Sequence, residues 1–293
     1  MFSSCADPEQ LESLRWFACY LTTGKHMNLY WSVLTVLILL GITAPTALAF
    51  GFAGASAARS VFAPLRWIGK TYIAIVRGVP DIAFFLFFVI ALDQAIEYTR
   101  HRILCPDVLE PVRQGNDFVV CQAAKMPLGE APQWVHETYG FAIAVLTFAI
   151  VYGAFAANVL FGAMRAVPHA QLETAAAYGM NTRQTFWRVL VPQMWVFALP
   201  GLSNLWMLLI KATPLLFLLG VEDIVYWARE LGGTKTPRFT DYPHDDWRMW
   251  YFLGLLVFYL CFTRISEIVL DRVMARLTHG QATTAGEAQR KAA

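Results

Sequence analysis

The run WSVLTVLILLGITAPTALAF, Trp31 to Phe50, holds twenty consecutive residues without a charged side chain. As a helix rising about 1.5 Å per residue it covers roughly 30 Å, the hydrocarbon thickness of a bilayer. Four further apolar blocks follow, about 72–92, 139–163, 195–219 and 250–270. Their summed effect appears in the composition: 57% of the residues are hydrophobic and 15% charged, against about 25% charged in soluble domains. The expected fold class is therefore all-α, a polytopic transmembrane helical bundle of five main spans, with one membrane domain over 29–270.

Residues 1–28, MFSSCADPEQLESLRWFACYLTTGKHMN, are polar and acidic. They lack the basic start and short apolar core of a cleaved signal peptide, so the first span is expected to be retained. Five spans put the two ends on opposite sides, and basic residues decide which side is which. With the N-terminus outside, the inner segments 55–70, 165–192 and 269–293 carry ten Lys/Arg in 69 residues, and the outer segments 1–28, 94–136 and 220–248 carry ten in 100. That density difference predicts segment 1–28 outside and tail 271–293 in the cytoplasm. The net charge of +2 is too small to suggest a nucleic-acid partner.

Residues 64–71, PLRWIGKT, end like a phosphate-binding loop. Pro64 stands where that loop needs its first glycine, and Trp67 and Ile68 would crowd the cradle. Lys70 is better read as an interfacial anchor. The six histidines fit no zinc-helix motif, and no GxSxG turn occurs. The chain is thus expected to be no enzyme and to carry no metal or other cofactor. Cys5, Cys105 and Cys121 fall in outer segments, Cys19 just before the first span and Cys261 within the fifth. Cys105 and Cys121 share one loop, where an oxidising exterior would let them join; two free thiols are the alternative.

Between the third and fourth blocks lies ETAAAYGMNTRQTFWRVLVP, Glu173 to Pro192. Pro168 suits a first helical turn, the alanines favour helix, and Gly179 suits the position just past a helix end. Asn181 and Gln184 then form a capping box for a second helix that runs to a break at Pro192. Leu172, Ala175, Ala176 and Gly179 recur at i, i+3, i+4 and i+7, giving one slim face. Such a face can sink into a cleft on another protein, with Glu173 beside it; the plainer alternative is a helix lying on lipid.

ETAAAYG, nine residues and VLVP resemble the EAA-x3-G-x9-I-x-LP loop of ABC importer permeases, with Glu173, Thr174, Ala175, Gly179 and Pro192 in register. TYIAIVRGVPDIAFFLFF (Thr71–Phe88) is similar to the RG-x-P signature of polar amino-acid permeases of the histidine/lysine-arginine-ornithine type, and Ala198–Ile224 to the stretch that follows the loop. The resemblance covers about Leu29–Leu231 apart from 94–136. It implies that the loop is a coupling helix docking on a separate ATP-binding subunit, and that the chain forms half of an amino-acid path. The other half would be a second permease subunit, identical or paralogous, fed by a periplasmic substrate-binding protein at a bacterial inner membrane. Three positions depart from the family: Asn158 and Phe161 stand where a Glu and an Arg are usual, and Pro214 replaces a serine.

Ionisable groups inside spans are costly, so each is a functional candidate. Arg77 and Asp81 lie four apart and can pair, either as an end-cap of the second span or toward substrate. Lys211, deep in the fourth block, faces the path or bonds carbonyls of a broken helix. Asn158, Asn204 and Thr213 are weaker candidates, because lone polar residues often only pair helices. Residues 221–231 read as a short interfacial helix which, with the loop 94–136, forms either a docking ledge or a solvated connector. Against this importer reading stand an ion-driven secondary transporter and a membrane anchor of a signalling complex.

Overall fold

The computed structural model describes residues 5, 12–107, 112–114, 117–126, 130–219, 221–238 and 240–278. Of the tail 271–293 only its start therefore falls among the described residues. The helices are α1 (Ser13–Leu21), α2 (Gly24–Arg59), α3 (Ala63–Gly78), α4 (Asp81–Leu104), α5 (Gln133–Ala166), α6 (His169–Ala177), α7 (Thr182–Thr185), α8 (Val191–Ala212), α9 (Ile224–Gly232) and α10 (Arg248–Thr278). Five helices are long and apolar enough to cross a membrane: Gly24–Arg59, Ile82–Leu104, Gln133–Ala166, Thr182–Phe217 and Arg248–Leu277. The first is 36 residues long, about 54 Å, well beyond the bilayer core.

The block 72–92 is not one helix. Val79 is extended (φ −112°, ψ 142°) between α3 and α4. Pro80 explains the break: its ring disfavours helical geometry in the preceding residue and it carries no N–H. The second crossing helix consequently starts at Ile82 rather than at 72 and runs to Leu104, past the expected end at 92. The outer loop is correspondingly shorter than 94–136 and contains a small antiparallel hairpin, β1 (Val112–Gln114) and β2 (Asp117–Val119), with Val112 opposite Val119. No apolar periodicity announced so short a pair.

The chain forms two compact units. One comprises Met1–Ile42, Ile82–Thr147 and Ala212–Leu260; the other comprises Thr43–Asp81, Phe148–Lys211 and Cys261–Ala293.

In the first unit, Cys105 is bonded to Cys121, and the loop they close is held to the end of α4. Arg100 donates to the carbonyls of Ala123 and Ala124 at 3.0 and 3.2 Å, and Glu97 accepts from Met126 N at 3.1 Å. A second disulfide joins Cys5 to Cys19. Cys19 lies on the short helix α1, ahead of the first span as expected. Around it Trp16, Tyr20, Tyr242 and Trp247 form a buried aromatic cluster. Burial raises the Tyr20 hydroxyl pKa above its ordinary value.

Helix α9 fills the expected place, but its apolar positions Ile224, Ala228 and Leu231 are buried within this unit rather than laid on lipid. Asp223 caps it, Oδ1 accepting from Val225 N and Tyr226 N at 3.1 and 2.9 Å. Its Oδ2 is buried without a hydrogen-bond partner among the described residues. Burial pushes the Asp223 carboxyl up to about 6, against the two backbone donors. Glu230 moves the other way, held below its ordinary range chiefly by the Lys235 ammonium at 2.9 Å.

In the second unit, small residues let helices close in on one another. A Cβ on Gly51 of α2 would lie 2.7 Å from that of Ala156. Ala55, Ala157, Leu160, Met164, Leu190 and Met194 form the core, all 2% exposed or less.

Candidate functional site

The segment between α5 and α8 lies in this second unit. Helix α6 starts at His169 with Pro168 as its N-cap, one residue later than the sequence suggested. Its C-terminus closes in a Schellman turn: Met180 N–H donates to Ala175 O at 3.1 Å and Gly179 N–H to Ala176 O at 2.9 Å. That turn puts Gly179 at φ 79°, the one positive φ among the described residues. A Cβ there would meet nothing within 4 Å. Glycine is therefore required by the backbone and not by a tight corner.

Asn181 then caps α7. Its Oδ1 accepts from Gln184 N at 2.9 Å, and Gln184 Oε1 accepts from Asn181 N at 3.0 Å, the reciprocal box expected from the spacing. The expected break at Pro192 does not occur. Phe186–Leu190 form a π turn, closed by Val191 N–H on Phe186 O, and the helix continues through Pro192 to Ala212. A wider turn just before a proline loosens the hydrogen-bond ladder, so the missing N–H is tolerated.

The slim face is only partly free. Ala175 is 6% exposed and Leu172 packs against the core of the unit. Glu173, Thr174, Ala176, Ala177 and Tyr178 are exposed instead, so the open side of α6 is rotated toward Glu173. Beneath the segment, Phe52 of α2 stacks on Trp187 at 5.6 Å and meets Phe186 edge-on at 6.1 Å. Leu190 and Met194 enter the core beside Leu160 and Met164 of α5. The segment is thereby clamped to α2, α5 and α8.

The polar residues of the apolar blocks are arranged differently from their spacing. Arg77 Nη1 donates to Asn158 Oδ1 at 2.8 Å, bridging α3 and α5. The side chain of Asp81, the expected partner of Arg77, lies outside the described residues. Arg165 lies over the Phe161 ring at 5.7 Å. Two of the family departures thus meet basic partners: Asn158 takes an arginine hydrogen bond and Phe161 offers a ring face to another. Thr213 is fully buried, its hydroxyl 2.8 Å from that of Tyr259. Lys211 is exposed in the last turn of α8 and makes no ion pair among the described residues.

The sequence between residues 47 and 279 matches the family of binding-protein-dependent transport system inner membrane components. The chain belongs to this permease family. Among relatives of the permease, the histidine/lysine/arginine/ornithine transport system permease protein HisQ of Salmonella typhimurium is 30% identical over 80% of this chain and 86% of its own. The arginine ABC transporter permease protein ArtQ of Escherichia coli K12 is 28% identical over 73% and 80%. The nopaline transport system permease protein NocQ of Agrobacterium fabrum is 32% identical over 66% and 71%. A crystal structure of an amino acid ABC transporter with histidines shares the fold, with a TM-score of 0.59 at 18% identity over 88% of this chain and 98% of that one. The permease is accordingly a multi-pass membrane component of a transport system, as are its relatives, rather than an enzyme, a secondary carrier or a signalling anchor.

Two features of the permease escaped sequence reasoning. Tyr178, 84% exposed at the end of α6, was hidden because a single aromatic beside a glycine has no periodic partner. On α8, Pro200, Asn204, Leu208 and Lys211 are all exposed. Their i, i+4, i+8, i+11 spacing puts an amide and an ammonium on one outward stripe of an apolar helix, a signal legible in hindsight once the proline at 192 is known not to break it.

Proposed function

We propose that the permease forms half of the path of an ATP-driven importer for a polar amino acid or related compound, and that residues 169–190 couple it to a separate ATP-binding subunit. The carrying observation is the clamped helix–glycine–helix segment, whose exposed side presents Glu173, Ala176, Ala177 and Tyr178 while its other side is rooted in three crossing helices. An exposed tyrosine beside small residues is the kind of side chain that anchors protein contacts. ATP acts by binding one conformation of the assembly better than another.

The substrate class is supported by the names of the relatives, which carry arginine, the histidine/lysine/arginine/ornithine set and nopaline. Lys211 and Asn204 on the exposed stripe of α8, with Arg77 and Asn158, are the polar groups through which the path would hold such a solute; Asp81 stays a candidate on sequence grounds. An ammonium inside an apolar span is tolerated where it faces water or a partner. The second permease subunit, identical or paralogous, covers that stripe. A binding protein delivers the solute on the side of the N-terminus, which lies outside a bacterial inner membrane while the C-terminus is cytoplasmic. Four cysteines in the segments assigned outside are paired as disulfides, in keeping with an oxidising exterior.

The test is co-purification followed by transport in proteoliposomes. The ATP-binding subunit should co-elute with the permease, and Glu173→Ala with Tyr178→Ala should release it while leaving membrane insertion intact. Labelled basic amino acids should then enter only with ATP and binding protein. Retention of the ATP-binding subunit by the double variant, or ATP hydrolysis without solute entry, overturns the reading.

A further inference from the structure

Helix α3 carries a surface that neither coupling nor the path uses. Its buried side is formed by Gly69 and Val76, and Tyr72 and Ile73 pack against the core of the second unit. The opposite side is apolar yet open: Trp67 is 70% exposed, Ile68 58% and Ile75 54%. At 100° per residue these three fall within one arc. Arg66 and Lys70, four residues apart, lie along one flank of that arc, and both are exposed. Arg59 ends α2 just before the connecting turn, where Val61 and Phe62 are 94% and 66% exposed. Arg59, Arg66 and Lys70 make no ion pair among the described residues, and 54–80 contains no acidic residue.

This pattern has three faces: one on protein, one apolar and open, and one basic at the edge between them. Water is a poor partner for the apolar face, and an acidic protein surface alone would not match it. A bilayer interface matches both, since acyl chains accept Trp67, Ile68 and Ile75 while lipid phosphates meet the basic edge. Indole side chains favour that depth. We propose that α3 lies in the plane of the membrane and binds anionic phospholipid headgroups through Arg59, Arg66 and Lys70. The charge complementarity and the aromatic, outward apolar face together select this occupant over a protein partner.

Two measurements on the full-length permease in nanodiscs test it. Nitroxide labels at Trp67→Cys and Ile68→Cys, in a Cys261→Ser background, should collide more with oxygen than with a water-soluble nickel chelate, and a label at Lys70→Cys should show the reverse. In discs of phosphatidylcholine with phosphatidylglycerol, the triple variant Arg59→Gln, Arg66→Gln, Lys70→Gln should retain less phosphatidylglycerol by native mass spectrometry. The affinity loss expected is about fivefold per charge removed, and Arg66→Lys should restore the wild-type amount in an otherwise unaltered chain. Labels at 67 and 68 as open to nickel as the label at 70 would overturn the proposal. So would unchanged phosphatidylglycerol retention in the triple variant, or labels that leave water only when the ATP-binding subunit is added. The collision measurement needs no charge variant, so it decides the matter even where the triple variant folds poorly.

Discussion

Gly179 has open space around it and a φ of 79°. A residue with a Cβ must therefore pay backbone strain there without gaining or losing any contact. For alanine that strain is about 1 kcal/mol, and asparagine, which enters the left-handed region more readily, costs less. Gly179→Asn is expected to keep most of the wild-type co-purification of the ATP-binding subunit, and Gly179→Ala measurably less. Loss of binding by both variants alike would mean that a side chain at the corner obstructs a partner. Asp223 poses the opposite problem, a charge in a buried place. Its carboxyl sits near 6 in the fold and near 4 in the unfolded chain. Between these values the folded state binds more protons than the unfolded one, so stability falls as pH rises through 4–6 and is lowest above 6. The full difference is about 3 kcal/mol. Thermal unfolding in detergent should therefore shift upward on acidification from pH 7 to 5. Asp223→Asn retains the cap, fills the unpartnered side with an amide, and should flatten that dependence. An unchanged pH slope in the variant would show that another group is responsible.

At the scale of elements, what could be read ahead was local. The capping box needs only Asn181 and Gln184 at the right spacing, and the glycine corner only a residue free to adopt positive φ. Asn181→Ala should cost about 1 kcal/mol and speed amide hydrogen exchange in 182–190 about fivefold, with α6 little changed. Equal acceleration in both helices would mean that they open as one. What could not be read depends on partners distant in the chain. Pro192 looked like a stop because its sequence neighbours do not disclose a π turn. The break at Pro80 was hidden because apolar residues continue on both sides of it. Leu172 and Ala175 looked like a free face, yet Leu172 packs on the core that holds Leu160, Met164 and Leu190, and Ala175 is buried. Arg77 meets Asn158, 81 residues away, a partner that local spacing does not disclose.

For the whole molecule the apolar blocks fixed the number of crossing helices, since each must satisfy its backbone within lipid. Sidedness is a different matter, because ten basic residues in 69 against ten in 100 is a shallow gradient. The disulfides steepen it. Cys5, Cys19, Cys105 and Cys121 are all paired, whereas Cys261 is free on the surface of α10, within the fifth crossing helix. With the N-terminus outside, all four paired cysteines face an oxidising compartment, and a cytosol would reduce them. Whole bacteria treated with a membrane-impermeant phosphine and then a charged maleimide should therefore acquire four labels per permease, and none before reduction. Cys261 should stay unlabelled, because a charged reagent does not enter hydrocarbon. Labelling that appears only after the cells are opened would reverse the sidedness, and with it the side on which residues 169–190 meet an ATP-binding subunit. The ring closed by Cys105 and Cys121 spans a separation of 16 residues, worth about 3 kcal/mol in loop entropy. Cys105→Ser with Cys121→Ser should accordingly lower the thermal transition while leaving the two labels of the Cys5–Cys19 pair in place.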